Sequence, residues 1–469
     1  MEKIIEKRLN KKCSVAVIAW DVTHNALGRA YMLAEALSSK YDVKIYGFAF
    51  KNNSIWEPLK KGEIPVIVFP GGCFPDFKRQ MEHIVPQIEA DVALVSKPRL
   101  PSLQLGLLWK SEYKKPLILD IDDCEVSFFI GKSNSLDCND IRKPQGEIWT
   151  NFCENLIHYA DHVFVSNIAL QNKYGGTVIP HARDENIFNP SLYSKETRRN
   201  ELGIAINDKI ILFLGSPKKH KGLLKLLTAI KKTEDQSYKL CIMGSFISKN
   251  LEEKLKKEGE QHILFFPDQP FNEIAKNMIV ADLVCLLQDE ESEISKYQLP
   301  AKVIDAISMG IPVLATPTPP MEDLIKQGLV LPTSNNSLQS DIVNMLTNRD
   351  YYQKKQLDKR PVFLKYFSYG AISQEMASSI YYCRENLKAL PDKALSYTLL
   401  QSELLNEATE LMEVERIRNK DLHKKVIKLE KEAKQLQCSY RSILNSTTWK
   451  YTAPLRFLSK YIRRVMSAF

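Results

Sequence analysis

Residues 215 to 222 read GSPKKHKG and follow the apolar run IILFL. Three lysines, a histidine and two glycines in so short a stretch suit an anion. A nucleoside triphosphate loop needs its lysine after the second glycine and a hydroxyl after that. Here Lys221 precedes Gly222 and Leu223 stands at the hydroxyl position, so that chemistry is excluded. The segment still leaves a strand and opens a helix, and a helix N-terminus presents unpaired N–H groups to a phosphate. Gly215 lets backbone approach closely and Lys221 brings a charge. The expected ligand is a diphosphate; the competing account is a solvated turn rich in lysine.

LPAKVIDAISMGIPVLAT, residues 299 to 316, is the second constellation. Pro300 can open a helix, Gly310 can close it, and Asp305 follows Lys302 by three positions. Either the two make a surface ion pair or Asp305 accepts hydrogen bonds from ribose or sugar hydroxyls. The third is DIDD, residues 120 to 123, at a strand end. Asp122 and Asp123 are expected to face a cleft and orient an acceptor, or else to cap the following turn. No metal site is expected. His158 and His162 are four apart, but Tyr159 stands where a zinc-protease glutamate would be. The first loop, WDVTHNALGRA, lacks GxGxxG, which disfavours hydride transfer.

Elements of a particular kind must hold these residues. Short apolar runs (SVAVIAW, DVKIYGF, IPVIVF, DVALVS, PLILDID, HVFVS) alternate with helical patterns such as ALGRAYMLAEALSS. The alternation restarts after a polar stretch with KIILFLG, YKLCIMG, HILFFP, DLVCLLQ, IPVLAT and GLVLP. This predicts an α/β protein of two doubly wound Rossmann-like domains facing a cleft, with ligands at the carboxyl ends of the strands. The expected boundaries are 1–190, a linker at 191–206, 207–362, and a returning helix at 363–390. A heptad seam then runs through Leu405, Ala408, Met412, Glu415, Asn419, Leu422, Val426, Leu429, Ala433, Leu436, Tyr440 and Ile443, predicting a coiled-coil helix over 398–444. It joins either a second copy or another protein; a helix packed along its own domain is the alternative. Over 445–469, apolar residues share one face and Arg456, Lys460, Arg463 and Arg464 the other. That suits an anionic membrane surface, each cation contributing about 1 kcal/mol; docking on the protein's own core is again the alternative.

GSPKKHKGLLKLLTAI followed by LPAKVIDAISMGIPVLAT resembles the donor-binding half of glycosyltransferase family 4, of GT-B fold. The resemblance covers about residues 13 to 385. It implies that Gly215 and Lys221 hold the donor diphosphate, with Ser216 at the family's arginine position and Lys218 or Lys219 supplying that charge. Asp305 matches the second glutamate of the sugar-nucleotide motif, where Lys302 is a neighbouring contact, and Tyr297 stands at the first. WDVTHNALGRA resembles the family's first loop, with Gly28 and Arg29 as contacts. VIPHARDENIFNP resembles the segment ending the first domain, placing His181 and Arg183 on the acceptor side. The tail is similar to that of bacterial polysaccharide glycosyltransferases, of O-antigen or capsule type. The resemblance implies transfer from a nucleoside diphosphate sugar to a growing, lipid-linked glycan, with retention, without metal or other cofactor, and with Lys221 and Asp305 as catalytic residues.

Composition narrows the rest. The chain has 469 residues, net charge +9, and nine cysteines without a CxxC pair, which suits reduced thiols in a cytosol. MEKIIEKRLNKK lacks the apolar core of a signal peptide. Lysines are dispersed without interleaved aromatics, so no nucleic-acid partner is expected. The expected location is the cytoplasm, attached peripherally to the cytoplasmic face of the cell membrane at 449–469. The alternatives are a non-catalytic scaffold assembling a glycan-synthesis complex, or a GT-B epimerase.

Overall fold

The computed structural model describes residues 12–51, 54–130, 140–218, 221–246, 248–390 and the helix Asp392–Asn445, with side chains in that helix at 414–439 and 442. Lys219 and the tail at 449–469 lie outside the described residues.

Two wholly parallel sheets carry the fold. The first has seven strands: β1 (Ser14–Ala19), β2 (Asp42–Ala49), β3 (Val66–Pro70), β4 (Val92–Ser96), β5 (Leu117–Ile121), β6 (His162–Val165) and β7 (Thr177–Val178), in the order β3-β2-β1-β4-β5-β6-β7. The second has six: β8 (Lys209–Leu214), β9 (Tyr238–Met243), β10 (Ile263–Phe266), β11 (Leu283–Leu286), β12 (Val313–Ala315) and β13 (Leu331–Pro332), in the order β10-β9-β8-β11-β12-β13. Strands covered by helices on both faces read as continuous apolar runs, which is why VALVS and LILDI are buried throughout. Each sheet reverses strand order once, between β1 and β4 and between β8 and β11. Loops diverge at that point and leave a crevice at the carboxyl ends of the strands. The residues singled out above follow β5, β8 and β11.

The polar stretch expected to be a linker contains a helix, Lys195–Glu201, capped by the Ser194 side chain. Arg199 is buried and gives hydrogen bonds to the carbonyls of Val280, Ile206 and Asp208 and to Asp282. A guanidinium with this many partners holds the segment to the second domain, a result that local polarity does not reveal. The returning helix expected at 363–390 is two helices, Arg360–Tyr366 and Tyr369–Glu385. They break at Phe367 and Ser368, where the chain pairs with Arg183 through Arg183 N–H to the Phe367 carbonyl and Tyr369 N–H to the Arg183 carbonyl. Phe363 and Phe367 pack in the core of the second domain, and Ile372, Met376, Ile380 and Cys383 in that of the first. The chain therefore crosses from the second core to the first over these helices.

Residues up to Leu399 form one compact unit and those from Leu400 a second. The second contains most of the helix Asp392–Asn445. Among the described residues no helix is long and apolar enough to cross a membrane.

Candidate active site

The second domain contributes a half-site of cations. β8 ends at Leu214, Gly215 adopts φ +111°, and Gly222 at φ +67° starts the helix Leu223–Lys231. A side chain at Gly222 would collide with Leu287, its Cβ meeting the Leu287 Cβ at 2.6 Å. Only glycine therefore lets the helix N-terminus sit this close to the end of β11. Lys302 comes from the neighbouring helix Ala301–Ser308, opened by Pro300. Its ammonium lies 3.7 Å from the Phe213 ring centroid and makes no ion pair among the described residues. Burial lowers its pKa to about 7, Lys221 and Lys218 adding to the effect and Asp305 opposing it. Burial likewise lowers Lys221 to about 8, relieved in part by Asp123 and deepened by Lys218. Two ammoniums held together without a carboxylate partner are costly until an anion joins them. Ser216 and Lys218 are exposed at the rim of the same loop.

The first domain contributes the opposite arrangement. Lys97, which follows β4, is buried with its ammonium 2.6 Å from Asp122, 3.0 Å from Asp123 and 2.9 Å from Glu125. Its backbone takes φ +71° in a tight turn, with Arg99 N–H bonded to the Lys97 carbonyl at 2.8 Å. A positive φ is uncommon for a residue with a side chain. Burial alone would depress the Lys97 pKa, but Asp122, Asp123 and Glu125 outweigh it and hold it well above the ordinary value. Burial raises Asp122, against the pull of Lys97, while Lys97 and Gln298 outweigh burial at Asp123 and lower it. Arg99 extends the cluster, 3.4 Å from Glu125, with its guanidinium 4.6 Å from the Trp20 ring centroid and 5.1 Å from that of Phe129. Trp20 Nε1, Ser96 Oγ and Arg99 Nε are buried here without a hydrogen-bond partner among the described residues. The three carboxylates stand close enough together to hold a cation. The Lys97 ammonium already occupies their midst, so they do not fit a metal ion.

One side chain joins the halves. Gln298 accepts from Lys221 Nζ at 3.3 Å and donates to Asp123 Oδ1 at 2.9 Å. Beside it the Tyr297 carbonyl accepts from Asn167 Nδ2 at 2.9 Å. The backbone at the position of the family's first glutamate thus makes a contact between domains.

The other expected residues fall in several places. Asp305 is buried and pairs with Arg183 at 2.6 Å, so the surface pairing with Lys302 is not what forms. Burial raises the Asp305 pKa, and Arg183 opposes it. Arg183, expected on the acceptor side, thus links the first domain's exit segment to the donor helix. Burial drives His181 well below the ordinary imidazole value, reinforced by Arg29 and Arg183, so the ring is neutral. Arg29 is buried, with hydrogen bonds to Asp120 and to the carbonyls of Ile179 and Pro180. Gly28 sits in the first turn of the helix Leu27–Ser38, where a Cβ would make ordinary contact with Trp56. His162 bonds Thr177 Oγ1 at 2.8 Å and opens β6. Lys97, Arg99, Trp20 and Gln298 were not anticipated; the only sequence signal for the first three was their place after β4 and β1.

Comparison with known proteins bears on this geometry. Residues 194–359 match the family model of glycosyl transferases group 1. The second domain, which carries the lysine half-site, is thus of glycosyltransferase kind. No curated protein matches the chain significantly in sequence. Among solved structures, HepE from Anabaena in complex with UDP and glucose superposes with a TM-score of 0.62 at 16% identity, over 79% of this chain and 100% of that one. Sucrose-phosphate synthase from Thermosynechococcus elongatus gives 0.58 at 16% identity, over 79% and 98%. A glycosyltransferase from Rickettsia africae gives 0.58 at 16%, over 80% and 100%. The fold is GT-B.

Proposed function

We propose that the protein transfers a sugar from a nucleoside diphosphate sugar to a growing, lipid-linked cell-surface glycan. The observation that carries this is the pair Lys221 and Lys302, two ammoniums without a carboxylate partner among the described residues, at a glycine-opened helix N-terminus in the domain that matches glycosyl transferases group 1. HepE holds UDP-glucose on the same fold, which supports a nucleotide-sugar donor.

The bond between the anomeric carbon and the diphosphate oxygen breaks, and its electron pair stays on the phosphate. Lys221, Lys302 and the helix N-terminus stabilise that charge, a type of contribution that is commonly the largest in catalysis. The acceptor hydroxyl oxygen bonds to the anomeric carbon and gives its proton to the departing phosphate, with retention and without a metal. The first-domain cluster suits a polyhydroxylated acceptor. Asp122 and Asp123 accept from hydroxyls, Trp20 Nε1 donates, and its ring offers an apolar face. His181, neutral at this position, lies beside the same acceptor space. Asp305 supports the donor helix through Arg183. The basic amphipathic pattern at 449–469 supports peripheral attachment to an anionic membrane surface, where a lipid-linked acceptor resides.

One observation favours the alternative of a non-catalytic scaffold. Ser216 supplies no charge, and the Tyr297 backbone is taken up by a domain contact. Thermal unfolding with nucleoside diphosphates and their sugars, alongside Lys221→Ala, separates the two. A stabilising shift with one nucleotide, lost in the variant, together with release of that nucleoside diphosphate on adding acceptor, supports transfer. Absence of any shift at millimolar nucleotide supports the scaffold.

A further inference from the structure

From Val414 to Ser439 every side chain of the long helix is exposed, including Leu422 at 51%, Val426 at 48%, Leu429 at 63% and Leu436 at 71%. The helix runs for 54 residues, about 80 Å at 1.5 Å per residue. Long helices gain most of their stability from packing an apolar stripe rather than from intrinsic propensity. These four side chains fall on one stripe with the spacing four, three, seven. A period of 3.5 residues is that of a left-handed supercoil of two or more helices.

The residue types select the partner. Labelling the stripe with Asn419, Val426 and Ala433 at a puts Leu422, Leu429 and Leu436 at d. A β-branched residue at a with leucine at d favours two parallel strands, and one asparagine at a sets register and strand number. In parallel register each leucine meets its own counterpart, and the two Asn419 amides satisfy each other. Lys425 then falls at g and Glu430 at e of the following heptad, the positions that pair between parallel helices. Antiparallel pairing could satisfy Asn419 against Glu415, but that offset sets Ala433 and Leu436 against Gln401 and Thr398, ahead of the first heptad. Glu415 at d weakens its own layer in the parallel arrangement, as polar core residues do.

We propose that the helix pairs with a second copy of this chain as a parallel, in-register, two-stranded coiled coil, read by Asn419 and by Lys425 against Glu430.

Three measurements on the full chain test this. Light scattering at micromolar concentration should give twice the 53.8 kDa chain mass. Leu422→Glu with Leu429→Glu should return it to one chain mass with nucleotide binding unchanged. With the exposed Cys73 and Cys438 replaced by serine, Leu429→Cys should form an interchain disulfide under mild oxidation. Ile427→Cys, which faces away from the seam, should not. A single-chain mass for the unmodified protein, or a dimer insensitive to the glutamates, overturns the proposal. A dimer in which Leu429→Cys does not cross-link, or Ile427→Cys links equally well, overturns the parallel register. Nucleotide binding is read separately, so loss of the dimer and loss of the transferase reading are distinguishable.

Discussion

The two sides of the cleft treat buried lysine in opposite ways. Lys97 has three carboxylates within 3.0 Å, whereas among the described residues Lys221 has only a glutamine oxygen and Lys302 an aromatic face. In the first arrangement the carboxylates hold the Lys97 charge well above the ordinary lysine range. The second is incomplete, and both of its ammoniums are easier to deprotonate than ordinary lysines. A charge left without its counterpart marks where a charged ligand belongs; a charge already matched holds the architecture in place. The comparison assigns binding to the second domain's cations and positioning to the first domain's Lys97.

The largest effects should come from breaking a matched charge. Lys97→Met leaves the buried Asp122 and its neighbour Asp123 without their counter-ion, Glu125 keeping Arg99, and should cost about 3–5 kcal/mol in chemical denaturation. Arg183→Met strands Asp305 in the same way and should cost a similar amount, about 3–5 kcal/mol. If Lys97→Met retained full stability, the contrast between the halves would be lost.

Removing an unmatched charge should do the reverse. Lys221→Ala should cut turnover by about 10²–10³-fold, as loss of a donor aimed at developing charge does. Stability should change little. Lys302→Met should abolish the nucleotide-induced thermal shift while stabilising the empty protein by about 1 kcal/mol, after allowing for solvent screening at a residue that is only half-buried. Equal loss of stability and turnover in both variants would count against a binding role.

The same pair sets a pH dependence. In the empty site Lys302 titrates at about 7 and Lys221 at about 8, and a bound diphosphate keeps both charged. Binding therefore takes up protons. Affinity should be greatest below pH 7 and fall through pH 7 to 9, approaching about tenfold per pH unit for each deprotonated lysine. Stability of the empty protein follows the opposite sign. The unfolded chain keeps these lysines protonated up to about pH 10.4, so it holds more protons than the folded state in that window and stability rises with pH. Calorimetric titration across pH 6 to 9 reads the first; denaturation without nucleotide reads the second. A pH-independent affinity would place the diphosphate elsewhere.

How much of this was legible in the sequence follows from range. GSPKKHKG was readable because its glycines, lysines and following helix are contiguous. The parallel sheets were readable because doubly covered strands are apolar end to end. Lys97 was not, since SKPR has no local pattern and its carboxylates arrive from residues 122 to 125. The role of Arg199 within the segment 191–206 was not legible for the same reason: its partners include Val280 and Asp282, far along the chain. Asp305 was found by motif, but its pairing with Arg183 follows only from the crossing of the two domains.

The bridge between the halves should give the smallest effect and the sharpest distinction. Gln298 ties Lys221 to Asp123 through one amide, itself 175 residues from Asp123 in the sequence. A net neutral hydrogen bond contributes about 0.5–1.5 kcal/mol, and one to a charged group about 1.5–3. Gln298→Ala should therefore raise the KM for acceptor by a few-fold, because the first-domain carboxylates lose their tie to the donor side. Nucleotide affinity should hold or improve slightly, since Lys221 no longer shares its proton with an amide. Gln298→Glu should do more harm than the alanine, because its carboxylate meets Asp123 even as it pairs with Lys221. If the glutamate variant bound nucleotide as well as the native protein and used acceptor equally well, the two halves would be working independently.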